Sequence, residues 1–138
     1  MCAKGYRDLT VWQEGVDLVV NIYRLTKKLP LTERYALADQ MQRAAVSVPA
    51  NIAEGHGRAS LKEFLHFLSL SSGSLAELET HLTIAEKLEY VDTQEVSPLL
   101  SHTDRLGRRL RALRNSLHPE GTRCPRNTSN QQPATSNE

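Results

Sequence analysis

The sequence predicts an all-α fold, an antiparallel up-down-up-down four-helix bundle. Three observations predict it. Apolar residues recur at steps of three and four through four long segments. Capping residues, prolines and glycines separate those segments by only a few positions. No segment alternates polar and apolar residues as a strand does, and there is no internal repeat.

The first helix is expected over about Leu9–Lys28. Trp12, Val16, Val19 and Tyr23 make one stripe, and Val11, Leu18, Ile22 and Leu25 a second beside it. Leu29-Pro30 ends it, because the residue before proline is pushed out of helical geometry. The second helix is expected to start at Thr32 as N-cap with Glu33 in its first turn. Its seam is Ala38, Met41, Ala45, Val48 and Ile52. Pro49 removes a backbone donor within that seam, which stays in phase, so one helix kinked at Pro49 is expected. Gly55 and Gly57 are expected to stop it.

Ser60-Leu61-Lys62-Glu63 is a capping box. Phe64, Leu68, Ser71, Leu75, Leu78, Leu82 and Ala85 then form a heptad seam. Small residues cluster at Ser69, Ser71, Ser72, Gly73 and Ser74, and close approach of another helix would offset the cost of Gly73. Asp92 caps the fourth helix, with Glu95 in its first turn and Pro98 early enough to be tolerated. Val96, Leu99, Thr103, Leu106, Leu110, Leu113 and Leu117 line its seam, and five arginines occupy the rest of its circumference. The double stripe and the small-residue patch either face two neighbours within one bundle or are buried by self-association.

This divides the chain into a flexible start (1–8), a bundle (9–117) and a disordered polar tail (118–138) rich in Pro, Ser, Thr, Asn and Gln. Net charge is +1, but residues 105–138 hold seven arginines and two glutamates. That imbalance hints at a polyanionic partner. Cys2 and Cys124 have neither zinc nor redox-pair spacing. No apolar run is long enough to span a bilayer, so no membrane partner and a cytoplasmic location are expected.

Val11-Trp12-Gln13, Ile22-Tyr23, Thr26, Pro30, Glu33, Tyr35, Gln40, Arg43-Ala44-Ala45 and Ser47 fall in a familiar order. Asn51-Ile52-Ala53-Glu54-Gly55, Arg58, Ser60, Glu63-Phe64, Phe67-Leu68, Gly73-Ser74 and Glu77-Leu78 continue it. Over roughly residues 6–117 the chain resembles the four-helix-bundle proteins encoded in intervening sequences of bacterial 23S ribosomal RNA genes. The resemblance implies a left-handed bundle assembling as a homopentamer. The family is also similar to the accessory variability proteins of diversity-generating retroelements, which implies a nucleic-acid partner and a reverse transcriptase. Ala36 and Glu89 depart from the pattern, which has glycine after the tyrosine at the first and Leu-Gly-Tyr at the second.

Candidate chemistry is sparse. His56, His66, His81, His102 and His118 lack the spacing that puts two ligands on one helix face, so they are expected as solvent-facing residues and no metal or other cofactor is expected. Glu63-x-x-His66 occurs once, where a di-iron bundle needs it twice. No serine sits in a strand-to-helix elbow, and the Gly55-His56-Gly57-Arg58 turn lacks the Gly-Lys-Ser/Thr of a nucleotide-binding loop. Glu54 is expected to pair with Arg43 or Arg58. No catalytic residues, and no enzyme, are expected. The candidate nucleic-acid surface is Arg105, Arg108, Arg109, Arg111 and Arg114, with Arg43, Arg58 and Lys62 as weaker members. Few aromatics lie outside the seams, so base stacking is not indicated. The expectation is a homo-oligomer that binds structured RNA or DNA as an accessory to a ribonucleoprotein. The other expectation is a protein-interaction scaffold, for instance for a reverse transcriptase.

Overall fold

Four helices make up the computed structural model, which describes residues 5–117. They are α1 (Thr10–Thr26), α2 (Leu37–His56), α3 (Leu61–Lys87) and α4 (Thr93–Ser116). There is no strand among the described residues. Cys2, Cys124 and the expected tail at 118–138 lie outside them.

α1 packs on α2 and α4, and α3 packs on the same two helices, while the backbones of the diagonal pairs stay apart. The four therefore ring one core. Leu18, Ile22, Met41, Val48, Ile52, Leu68, Leu78, Leu82, Leu106 and Leu110 are wholly buried there. Each buried aliphatic side chain of that size contributes about 1.5–3 kcal/mol relative to exposure. Cross-helix contacts set the registers. Gly55 meets Phe64 and Phe67, and Ser47 meets Ser74. Thr103 meets Glu79, and Gly107 meets Leu75.

On α1 the core stripe is Val11, Leu18, Ile22 and Leu25. The stripe Trp12, Val16, Val19 and Tyr23 runs along the flank, with Tyr23 and the nearby Val20 exposed. Both stripes read alike in sequence, because each satisfies the helical period. Residues 6–8, expected in the flexible start, form a 3-10 helix. Tyr6 packs edge-on against Trp12 with centroids 5.2 Å apart, and the Arg7 guanidinium lies over both rings.

Thr32 is not the N-cap of α2. Leu31–Glu33 is a separate 3-10 helix, and α2 begins four residues later than that cap requires. Glu33 instead caps α2 from outside, since its Oε1 accepts from the Leu37 amide at 3.1 Å. Its Oε2 accepts from the Tyr90 hydroxyl at 2.9 Å. α2 continues unbroken through Pro49, as one helix. Gly15 of α1 makes room for that proline, because a Cβ on Gly15 would lie 3.2 Å from Pro49 Cβ. Beside it the Val48 carbonyl accepts from the buried Ser71 hydroxyl of α3 at 2.8 Å.

Gly55 does not stop α2. It lies within the helix and is buried, and a Cβ there would sit 2.5 Å from Phe67 Cβ. Its role is close approach of α3, and Gly57 is the C-cap. Gly73 shows the reverse, since among the described residues no neighbouring atom lies within 4 Å of a Cβ built there. Ser60 accepts from the Glu63 amide at 3.1 Å, which is one half of the expected capping box. The full box occurs at Asp92 and Glu95. Glu89, in the turn after α3, has φ of 63°, and the Tyr90 amide reaches back to the Ala85 carbonyl at 3.0 Å. That is a Schellman-type helix end, whose left-handed position favours glycine.

Candidate nucleic-acid interface

The capping box at Asp92 and Glu95 starts α4. Val96, Leu99, Thr103, Leu106 and Leu110 then hold it on the core, while Leu113 and Leu117 are half-buried. With that seam inward, helical spacing spreads the arginines over both flanks and the outer face. Arg105, Arg108, Arg109 and Arg111 are exposed, and Arg114 is half-buried.

The flank facing α1 is matched by acids. Arg109 Nη1 donates to Glu14 Oε2 of α1. The other Glu14 oxygen is buried without a partner. Two turns back, His102 sits in the same seam, half-buried. Burial first, then the charge of Arg105, pull its pKa below the usual histidine value, and Asp17 of α1 opposes them. Asp17 of α1 thus bears on the same seam, while Arg105 itself forms no ion pair among the described residues. On the outer face Arg108 Nη2 stands 3.4 Å from Asp104, one turn back on the same helix.

The flank facing α3 is different. Arg111 and Arg114 have no carboxylate within ion-pair distance among the described residues. α3 carries no acid from Phe64 to Ala76.

The weaker candidates divide. Arg58 Nη2 donates to Glu54 Oε2 at 2.6 Å, as one of the two expected pairings, and its Nε is 4.0 Å from Glu63. Its guanidinium also covers the Phe67 ring at 4.8 Å. Lys62 is exposed at the start of α3. By the Gly107–Leu75 register, the end of α4 lies towards that start. Arg43 pairs with Asp39 at 2.9 Å on α2, and the backbones of α2 and α4 stay apart. The structure therefore does not bring Arg43 to the arginine helix.

His81 is not solvent-facing. It is 8 % exposed, with Nε2 3.4 Å from Glu77 and Nδ1 buried without a partner. Histidine spacing carries no information about which face of a helix packs. The role of Glu14 was also missed, since its partner stands 95 positions away. An acid on the flank of the α1 core stripe was the one available signal.

The opposite end of the bundle is acidic. A hollow of about 800 Å³ there is lined by Glu86, Glu89, Asp92 and Glu95 with Tyr90 and Lys87. Glu86 accepts from the Thr93 hydroxyl at 2.6 Å, and Glu95 pairs with Lys28. The hydrogen bond from Lys28, then the Asp92 amide, hold the Glu95 carboxyl below the usual range. The same bond raises Lys28. Among the described residues no group of three metal-ligating side chains converges, and no helix is long and apolar enough to cross a membrane.

No curated protein matches the chain. Its fold is similar to that of a protein of unknown function from the S23 ribosomal protein family of Bacteroides thetaiotaomicron VPI-5482. That likeness has a TM-score of 0.70 at 22% identity, covering 75% of this chain and 97% of the other. The family model described as 23S rRNA-intervening sequence protein matches residues 7–112. The match spans most of the ring of helices described above, and the chain belongs to the 23S rRNA-intervening sequence protein family.

Proposed function

We propose that this protein is a non-enzymatic, homo-oligomeric bundle that binds structured RNA or DNA through the basic end of α4, as an accessory to a ribonucleoprotein in the cytoplasm. The observation that carries the reading is the run Arg105–Leu117, which holds five arginines and no acid. Arginine meets phosphate with planar, paired donors, and repetition around an oligomer multiplies that surface. Family membership supports an RNA connection.

The bundle in this reading is up-down-up-down and left-handed, with α2 bent at Pro49. The contacts that support alternation pair the end of one helix with the start of the next and middle with middle, as in Gly55 with Phe67 and Ser47 with Ser74. Assembly, with five subunits, rests on apolar surface the chain leaves open at Val20, Tyr23 and Val46, and on the unapproached Gly73. The test pairs light scattering, which should give one closed oligomer, with binding of structured RNA across a salt series. A wild-type protein that stays monomeric and binds no nucleic acid at low salt would end this reading.

A scaffold reading has one observation in its favour. Leu31 and Tyr35, in the connection from α1 to α2, are 78% and 86% exposed. Apolar groups so placed suit a polypeptide partner such as a reverse transcriptase. Salt-insensitive capture of that partner by wild type, lost on Leu31→Ser with Tyr35→Ser, would favour it.

A further inference from the structure

We infer that the nucleic-acid surface is the α3 flank of α4, centred on Arg111 and Arg114, and that it takes the phosphate backbone of double-helical RNA. This rests on the nucleic-acid reading above and narrows it to one side of one helix.

The two flanks of α4 differ in what faces them. Towards α1, Glu14 binds Arg109 directly, and Asp17 shares the surroundings of His102 with Arg105. A phosphate arriving there competes with a carboxylate already in place, and repulsion from the buried, unpartnered oxygen of Glu14 opposes it. Towards α3 the carboxylate of Glu79 is held back at Thr103, and among the described residues none lies within ion-pair distance of Arg111 or Arg114. Thr103 bonds Glu79, and a Cβ on Gly107 would lie 3.8 Å from Leu75. The same antiparallel register carries Arg111 opposite Ser71–Ser72 and Arg114 opposite Leu68–Ser69. The segment 64–76 of α3 and the segment 105–117 of α4 are both free of Asp and Glu. The result is a strip in which positive charge is not internally matched, floored by small residues.

The chemistry of the strip selects the ligand. Neither segment exposes a Phe, Tyr or Trp ring, because Phe64 and Phe67 are half-buried and turned towards Gly55, and the exposed His66 imidazole stands edge-on to Phe67. Bases of a single strand find no row of large aromatic faces to stack on. Two guanidiniums offer paired donors to phosphate oxygens. The exposed Ser69 hydroxyl and the half-buried Ser72 hydroxyl donate or accept, which suits a 2′-hydroxyl. Duplex RNA read by shape and backbone combines these demands.

The test measures anisotropy of a labelled RNA duplex of about 20 base pairs, a DNA duplex of the same sequence and the single RNA strand, each across a salt series. Arg111→Gln with Arg114→Gln should weaken RNA-duplex binding about tenfold or more and lower the salt slope by about 2. Lysine at both positions should retain most of the affinity. Arg105→Gln with Arg109→Gln should change it less than about threefold. Glu14→Gln, which frees Arg109, should tighten binding. Equal losses from the two arginine pairs, or tighter binding of DNA or single strand than of duplex RNA, would overturn the inference and leave general nucleic-acid binding standing. Failure of wild type to bind any of the three would overturn both.

Discussion

The two ends of the bundle use charge in opposite ways. At the end built from the α1–α2 connection and the α3–α4 turn, carboxylates hold the structure together. Glu33 caps α2 and receives the Tyr90 hydroxyl. Asp92 and Glu95 box the start of α4, and Glu95 ties it to Lys28 at the end of α1. At the end where α2 turns into α3 and α4 finishes, packing does that work. Gly55 lets Phe67 onto α2, and Arg111 and Arg114 are left without acids among the described residues. Charge content alone does not separate these roles. An acid that bonds a helix amide belongs to the fold, and an arginine that bonds nothing is available to a ligand.

The largest effect expected is at the packed end. Gly55→Ala places a methyl 2.5 Å from Phe67 Cβ, so α2 and α3 must separate. A loss of about 1–3 kcal/mol in urea unfolding is expected. Glu33→Ala is next at the acidic end, removing the α2 cap and the Tyr90 acceptor together. It should cost about 1–2 kcal/mol. If it is neutral, the carboxylates of that end are ornamental and the contrast fails.

Glu89→Gly works the other way. Relief of φ at 63° in a non-glycine residue should stabilise the protein by about 0.5–1 kcal/mol, read as a higher thermal midpoint. The pH dependence of stability gives a subtler reading of the same end. The Glu95 pKa is lowered on folding, so its contribution is full above the unfolded carboxylate value and disappears as pH falls through the lower folded value. The Lys28 pKa is raised, so its contribution is full below the unfolded value and disappears as pH rises through the folded one. Lys28→Met should flatten the alkaline limb and lessen the acid one, and an unchanged profile would remove the pair from the account. The smallest effect is expected from Arg111→Gln with Arg114→Gln, which should move stability by less than about 0.5 kcal/mol. A larger loss would mean those arginines help hold the fold.

Much of the fold is legible in the sequence. The seams of α3 and α4 were read residue by residue, because a heptad-like period with a capping residue leaves little choice of face. α1 was ambiguous, since two stripes at helical spacing fit equally and the packing of α2 and α4 decided between them. The start of α2 was misplaced for a related reason. Thr32 and Glu33 look like a cap and first turn, yet a 3-10 helix intervenes and the glutamate caps from further off. Gly55 read as a terminator because glycine serves both ends and close contacts, and only the neighbouring helix distinguishes them.

The candidate surface divides along the same line. The clustering of arginines on α4 is a property of the sequence. Which of them are matched is not, because Glu14 and Arg109 meet only when α1 and α4 are side by side. Periodicity and capping are local, governed by a few bonds along the chain, so the linear order of residues determined four helices and the inward faces of α2, α3 and α4. Ion pairing, burial of His81 and the fit of Gly55 depend on distances between segments far apart in the chain. Those were decided by how the helices pack.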